Sequence, residues 1–203
     1  MKIGIMGVGN IGATLGRAWV KAGHDVVFGV RSTRAPKVLN LLDSLDGKAK
    51  AQQVTRAIAF ADVVLLAIPG TAVAEFVRTY TIELRGKIIV DATNTMGQPE
   101  MHNMTLLEGS LPQTPVFRAF NTLAWETLAN PVVGGEQADL FFCGQFGAPR
   151  EKMEELIKDV GLRPIFIGGP ETAPLLDQMT RLWFTLVMAE GYSRHTAFRL
   201  LTD

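Results

Sequence analysis

The sequence predicts an α/β protein, a doubly wound Rossmann-type parallel sheet with a short C-terminal helical extension, on three observations. Short β-rich runs alternate with helical patterns along most of the chain, as βαβ units do. The first of these runs ends in GVGNIG, Gly7 to Gly12, a glycine turn that opens a helix. With 203 residues, 47% of them hydrophobic, the chain can build one well-packed core but not two full-sized ones.

In chain order, Lys2 to Met6 reads as the first strand and Ile11 to Ala22 as the helix behind it, with Gly23 placed as a C-terminal cap. The apolar run Asp25 to Val30 is the second strand, followed by a helix at Pro36 to Ser44. Further strands are expected at Ala49 to Gln53, Asp62 to Ile68, Lys87 to Asp91, Val116 to Phe120, Asp139 to Cys143 and Arg163 to Ile167. Helices are expected at Thr71 to Tyr80 and Arg150 to Val160, the latter capped by Gly161. From Glu171 onward Leu175, Leu176, Met179, Leu182, Trp183 and Leu186 repeat at helical spacing, and Phe184, Val187 and Met188 widen the stripe. A helix apolar on nearly all sides is expected to be buried, on the domain's own surface or in a homodimer.

Twenty Lys and Arg balance twenty Asp and Glu, so bulk charge supports neither nucleic-acid binding nor a polybasic membrane surface. The single cysteine, Cys143, rules out an internal disulfide and a thiolate metal cluster, and no other cluster has metal-ligand spacing. The N-terminus runs straight into a strand, and the densest apolar stretch, Leu182 to Ala189, falls short of a bilayer span. A soluble, cytoplasmic protein without metal is the expectation.

The glycine turn has the context that dinucleotide binding requires, between a strand and an amphipathic helix. Gly7 allows the tight turn, Gly9 the approach of backbone to a pyrophosphate, and Gly12 the close packing of helix on strand. Asn10 and Ile11 offer backbone donors at the helix N-terminus, with Val8 inside the turn. About twenty residues on, an acid would be expected to hold a ribose 2′-hydroxyl. None appears there. The exit of the second strand carries Arg31, Ser32 and Arg34, with Lys37 close behind, and this set suits the 2′-phosphate of NADP(H).

Ligands in doubly wound sheets lie across the carboxyl ends of the strands. The fourth strand exits through Ala67, Ile68 and Pro69, the fifth through Thr93 and Asn94, and the sixth through Asn121 and Thr122. These short polar side chains are expected to line the nicotinamide half of the cofactor, with Asp91 in a structural role.

Across nearly its whole length the chain resembles the NADP oxidoreductases dependent on coenzyme F420, whose Rossmann domain is also similar to the cytosolic part of certain membrane ferric reductases. The resemblance rests on GVGNIG, VRSTR, AIP, DATN, AFNT and PLLDQMTRLW with AFRLL after it. It implies that Arg31, Ser32 and Arg34 hold the 2′-phosphate and that Ile68 and Pro69 contact the cofactor. It also implies that residues 1–168 form the NADP-binding domain and residues 169–203 a helical segment that builds the acceptor site or dimer interface. Two positions depart from the pattern: Val8 stands for a threonine, and Gly70 for a tryptophan whose loss is expected to widen the acceptor site.

Hydride transfer from NADPH to a small-molecule acceptor, coenzyme F420 or a flavin, needs mainly stacking of two rings at reacting distance. No catalytic group is identified; among three histidines only His102, in the Met-rich loop Met96 to Met104, is expected near the reactive end, with the methionines as an apolar wall. A reductase of an imine or a β-hydroxy acid is the second enzymatic reading, set back by the lack of a long helical domain. The alternative outside enzymology is an NADP(H)-sensing or partner-binding Rossmann module.

Overall fold

The structure is a computed structural model and describes residues 1–203. Strands β1 (Lys2–Met6), β2 (Asp25–Val30), β3 (Ala49–Gln53), β4 (Val63–Leu66), β5 (Ile88–Asp91) and β6 (Val116–Arg118) are parallel and lie in the order β3-β2-β1-β4-β5-β6. A two-stranded hairpin, β7 (Val132–Val133) and β8 (Glu136–Gln137), stands apart. The main sheet ends in β9 (Asp139–Gly144), antiparallel to β6, and β10 (Arg163–Phe166), parallel to β9.

The central strands are apolar on both sides because helices cover both faces. Ile3 and Ile5 of β1 and Val63 and Leu65 of β4 point to one core with Leu15, Trp19 and Phe28; Met6, Val64 and Leu66 point to the other with Val73, Val77 and Leu176. The helices are α1 (Asn10–Lys21), α2 (Pro36–Asp43), α3 (Val54–Phe60), α4 (Val73–Leu84), α5 (Met104–Ser110), α6 (Trp125–Ala129), α7 (Ala148–Asp159) and α8 (Ala173–Phe184). The expected strands are all present with small changes at their ends. The fourth stops at Leu66 rather than Ile68 and the sixth at Arg118 rather than Phe120, where the chain leaves the ladder for the site.

Three helices and the hairpin lie where no element is expected. α3, α5 and α6 have seven, seven and five residues, too few turns for a period to stand out. The C-terminal helix also differs from its expectation of burial all round. Leu176, Asp177, Thr180 and Trp183 face inward, whereas Leu175 and Leu182 are 58% and 49% exposed. Two of the inward residues are polar because they meet polar partners on the sheet, so the apolar stripe divides between inside and outside.

After α8 a π-helical turn, Thr185–Ala189, leads into a tail without helix or strand that straps back over the domain. The Trp183 indole N–H donates to the Thr196 carbonyl at 3.1 Å, and Asp139 Oδ2 accepts from the Leu200 N–H at 2.6 Å. Arg194 pairs with Glu126 of α6 at 2.6 Å and lies 5.6 Å above the Trp183 ring. The Arg194 hydrogen bond holds the Glu126 carboxyl below the usual carboxylate range. No helix is long and apolar enough to cross a membrane.

Candidate functional site

The strand order reverses between β1 and β4, and this switch point opens a crevice at their carboxyl ends. Gly7 turns the chain there with φ +108°, and a Cβ on it would lie 2.5 Å from the Ala67 carbonyl oxygen. A Cβ on Gly12 would lie 2.5 Å from the Gly7 carbonyl oxygen, so α1 sits on the turn too closely for any side chain. Gly9, the N-cap of α1, has open space where a Cβ would stand, and no side chain caps the helix. The first N–H groups of α1 are thus free for an anion.

A cleft of about 440 Å³ is lined by Gly9, Asn10, Ile11, Lys37, Ala67, Ile68, Ala92, Thr93 and Asn94 and falls within the range of small-molecule sites. Val8 faces a neighbouring groove, and Pro69 is exposed beside the cleft. A smaller cleft of about 240 Å³ between Gln113–Pro115 and Gln145–Phe146 lies at the amino end of β6, away from the glycine turn. At the exit of β2, Arg31, Ser32 and Arg34 are all exposed. Neither arginine nor Lys37 is engaged in an ion pair, although seven such pairs form elsewhere. Three cations without counter-charge around one strand exit are able to hold a phosphate.

Behind the exits of β5 and β6 lies a network that the sequence does not reveal. Arg118, at the end of β6, is fully buried between two carboxylates, Asp91 Oδ2 at 3.1 Å and Asp177 Oδ1 of α8 at 2.8 Å. The same guanidinium donates to the Thr93 carbonyl at 2.7 Å and to Asn94 Oδ1 at 2.8 Å. Asp91 also accepts from the Thr93 N–H and hydroxyl and from the Asn103 N–H; Asp177 accepts from the Met101 and His102 N–H groups. One arginine therefore fixes the exit of β5, the loop above it and the C-terminal helix together.

Asn121 stands behind Asn94 rather than in the cleft. Its carbonyl accepts from Asn94 Nδ2 at 3.0 Å and its Nδ2 donates to Thr180 Oγ1 at 3.1 Å, while its Oδ1 has no partner. The turn that places it is strained: Phe120 has φ +63°, rare for a bulky residue. Its ring anchors in the core, edge-on to Trp19 with centroids 5.8 Å apart.

The structure corrects three further expectations. His102 does not line the cleft. It is buried; its Nδ1 accepts from the Met104 N–H at 3.2 Å, which places the proton on an unpartnered Nε2. Burial and, after it, the charge of Glu171 push the Glu108 carboxyl of α5 up. The methionine wall is also reduced, because Met101 and Met104 are buried in packing and only Met96 is free, at 56% exposure. Gly70 does not widen the site: a Cβ there would lie 2.3 Å from Thr95 Oγ1 and 2.8 Å from its nitrogen, so the 94–95 backbone already occupies the space.

Cys143 is buried, and desolvation pushes its thiol up to about 11, which leaves it protonated and inert. The fold brings His24, Glu155 and Asp159 together, which the sequence spacing does not reveal. Both His24 nitrogens are engaged, Nδ1 with the N-terminal ammonium at 2.9 Å and Nε2 with Asp159 at 2.7 Å.

Residues 2–95 match the family described as NADP oxidoreductase coenzyme F420-dependent. The chain is 28% identical over 210 residues to the F420-dependent NADP reductase of Methanothermobacter thermautotrophicus, with 92% of this chain and 89% of that protein covered. It is 26% identical over 177 residues to metalloreductase STEAP3 of Rattus norvegicus, covering 85% of this chain and 35% of that protein. Among solved structures, a candidate F420-dependent NADP-reductase from Arthrobacter sp. FB24 superposes with a TM-score of 0.87, 24% identity and 100% of both chains covered.

Proposed function

We propose that this chain, whose residues 2–95 belong to the coenzyme F420-dependent NADP oxidoreductase family, moves hydride between NADP(H) and a flat ring acceptor. Coenzyme F420 is the first choice of acceptor and a flavin the second. The observation that carries the reading is the pairing of an uncapped α1 behind Gly7, Gly9 and Gly12 with an acid-free β2 exit. In this reading the pyrophosphate takes the N–H groups of Asn10 and Ile11, and the 2′-phosphate takes Arg31, Ser32 and Arg34. Ala67, Ile68, Thr93 and Asn94 line the nicotinamide half, flanked by Pro69 and backed by Asn121.

The nicotinamide supplies the hydride when bound, and the protein's share is positioning. Arg118 holds the Thr93 carbonyl and the Asn94 amide in place, and Asn94 in turn is held by Asn121. The loop that would cover the acceptor is tied down from α8, where Arg181 donates to the Gln98 and Pro99 carbonyls at 2.7 and 3.0 Å. Residues 169–203 thus serve as the acceptor-side segment, and the exposed Leu175 and Leu182 as the seam of a homodimer. The test is oxidation of NADPH in the presence of F420, FMN or riboflavin. Turnover above the enzyme-free rate supports the reading, and NADPH binding without turnover on any acceptor favours a cofactor-binding module instead.

A further inference from the structure

We infer that the groove between α1, α2 and α6 is a second anion site, which takes the phosphate-bearing tail of the ring acceptor; this rests on the hydride-transfer reading above. The groove measures about 440 Å³ and is walled by Thr14 and Arg17 of α1, Lys37 and Asn40 of α2, and Trp125 at the start of α6. It opens into the dinucleotide cleft, since Gly9, Asn10 and Lys37 line both. None of its lining residues is acidic. Arg17 has no ion pair; its one side-chain bond is to the Ser44 hydroxyl at 3.3 Å.

The dinucleotide does not account for Arg17. That residue lies seven positions along α1 from Asn10, roughly 10 Å at the helical rise, and its guanidinium is turned onto the Ser44 hydroxyl just past the end of α2, away from the first turn of α1. Arg31 and Arg34 already face the 2′-phosphate. A cation left over in a groove continuous with the cofactor cleft matches an anion carried by the second substrate. Trp125 supplies the connection: it stands four residues past Asn121 at the β6 exit, and its indole is 39% exposed, a flat wall along which a linker can lie. The ring would stack at the strand exits and its tail would run past Trp125 to Arg17, with Lys37 left to the cofactor side that it also lines.

FMN and riboflavin separate the tail from the ring, because they share a ring system and differ by one phosphate. The expected KM for FMN is about tenfold below that for riboflavin, with the gap closing as salt rises. Arg17→Gln should bring the two within about twofold of each other while NADPH affinity shifts by less than about twofold. Equal KM values in the parent protein, an FMN advantage that survives Arg17→Gln, or an equal loss of NADPH and FMN affinity would each overturn the assignment. If neither flavin oxidises NADPH, the hydride-transfer reading fails by itself, and the groove is judged by flavin fluorescence on the NADP⁺-loaded protein. Arg17-dependent preference for FMN then upholds the anion site; no preference, or no binding, overturns it.

Discussion

Replacing Arg118 by methionine keeps the length of the side chain and removes its charge from a site where no water reaches it. The loss strands Asp91 and Asp177, and breaking a buried pair by deleting one partner costs about 3–5 kcal/mol. Doubling that figure for two carboxylates would overcount. Asp91 keeps its three donors from Thr93 and Asn103, and Asp177 keeps the N–H groups of Met101 and His102. The prediction is therefore a single-pair loss of about 3–5 kcal/mol, set against about 5–15 kcal/mol for a typical domain. Arg118→Lys should lose less, about 1–3 kcal/mol, since it keeps the charge but cannot reach Asp91, Thr93, Asn94 and Asp177 at once. Urea unfolding followed by tryptophan fluorescence measures both, with Trp19 and Trp183 as buried reporters. Adding Asp177→Leu to Arg118→Met should recover part of the loss, because one stranded charge is gone. A loss under about 1 kcal/mol for Arg118→Met, or no recovery in the double variant, would refute the account of the network.

Four further outcomes are expected. NADPH should bind at least about tenfold tighter than NADH, or about 1.4 kcal/mol, and replacing Arg31 and Arg34 should erase the difference; coincident calorimetric titrations of the two cofactors in the parent protein would exclude this. Gly12→Ala should cost about 1–3 kcal/mol and weaken NADPH, because its methyl must displace the Gly7 carbonyl; unfolding and titration curves that match the parent's would count against the close packing. Charged residues at Leu175 and Leu182 should release monomers, as read by light scattering, and a monomeric parent would remove the dimer. Cys143 should resist thiol reagents in the native state; its folded value is raised by burial, so its contribution is complete below about pH 9 and declines toward about pH 11. Rapid labelling at pH 8 without unfolding would contradict its burial.

Much of the dinucleotide half was legible because its constraints are local. The close approach at Gly12 is dictated by the Gly7 carbonyl five residues back, and the β2 exit shows its charges in one short run. The acceptor half is held together by pairs distant in sequence. Arg118 meets Asp91 and Asp177, 27 and 59 residues away, and nothing in its strand distinguishes it from an ordinary exposed arginine. Asp177 lay inside an apolar stripe, and that stripe concealed the polar face of α8. Gly70 misled for a related reason: a missing side chain reads as space, but the Asn94–Thr95 backbone had moved into it. His102 looked well placed along the chain, and only the fold shows its ring buried, with Nδ1 accepting from the Met104 N–H.

In the proposed reaction the nicotinamide C4 hydride passes directly to the ring held beside it. Single turnover of NADPH carrying deuterium at the transferred C4 position, mixed with the protein and F420, tests this most directly. Carbon-bound deuterium is expected on the reduced deazaflavin, formed faster than in the enzyme-free mixture. Deuterium that stays on the nicotinamide, or a rate no different from the enzyme-free one, would contradict it.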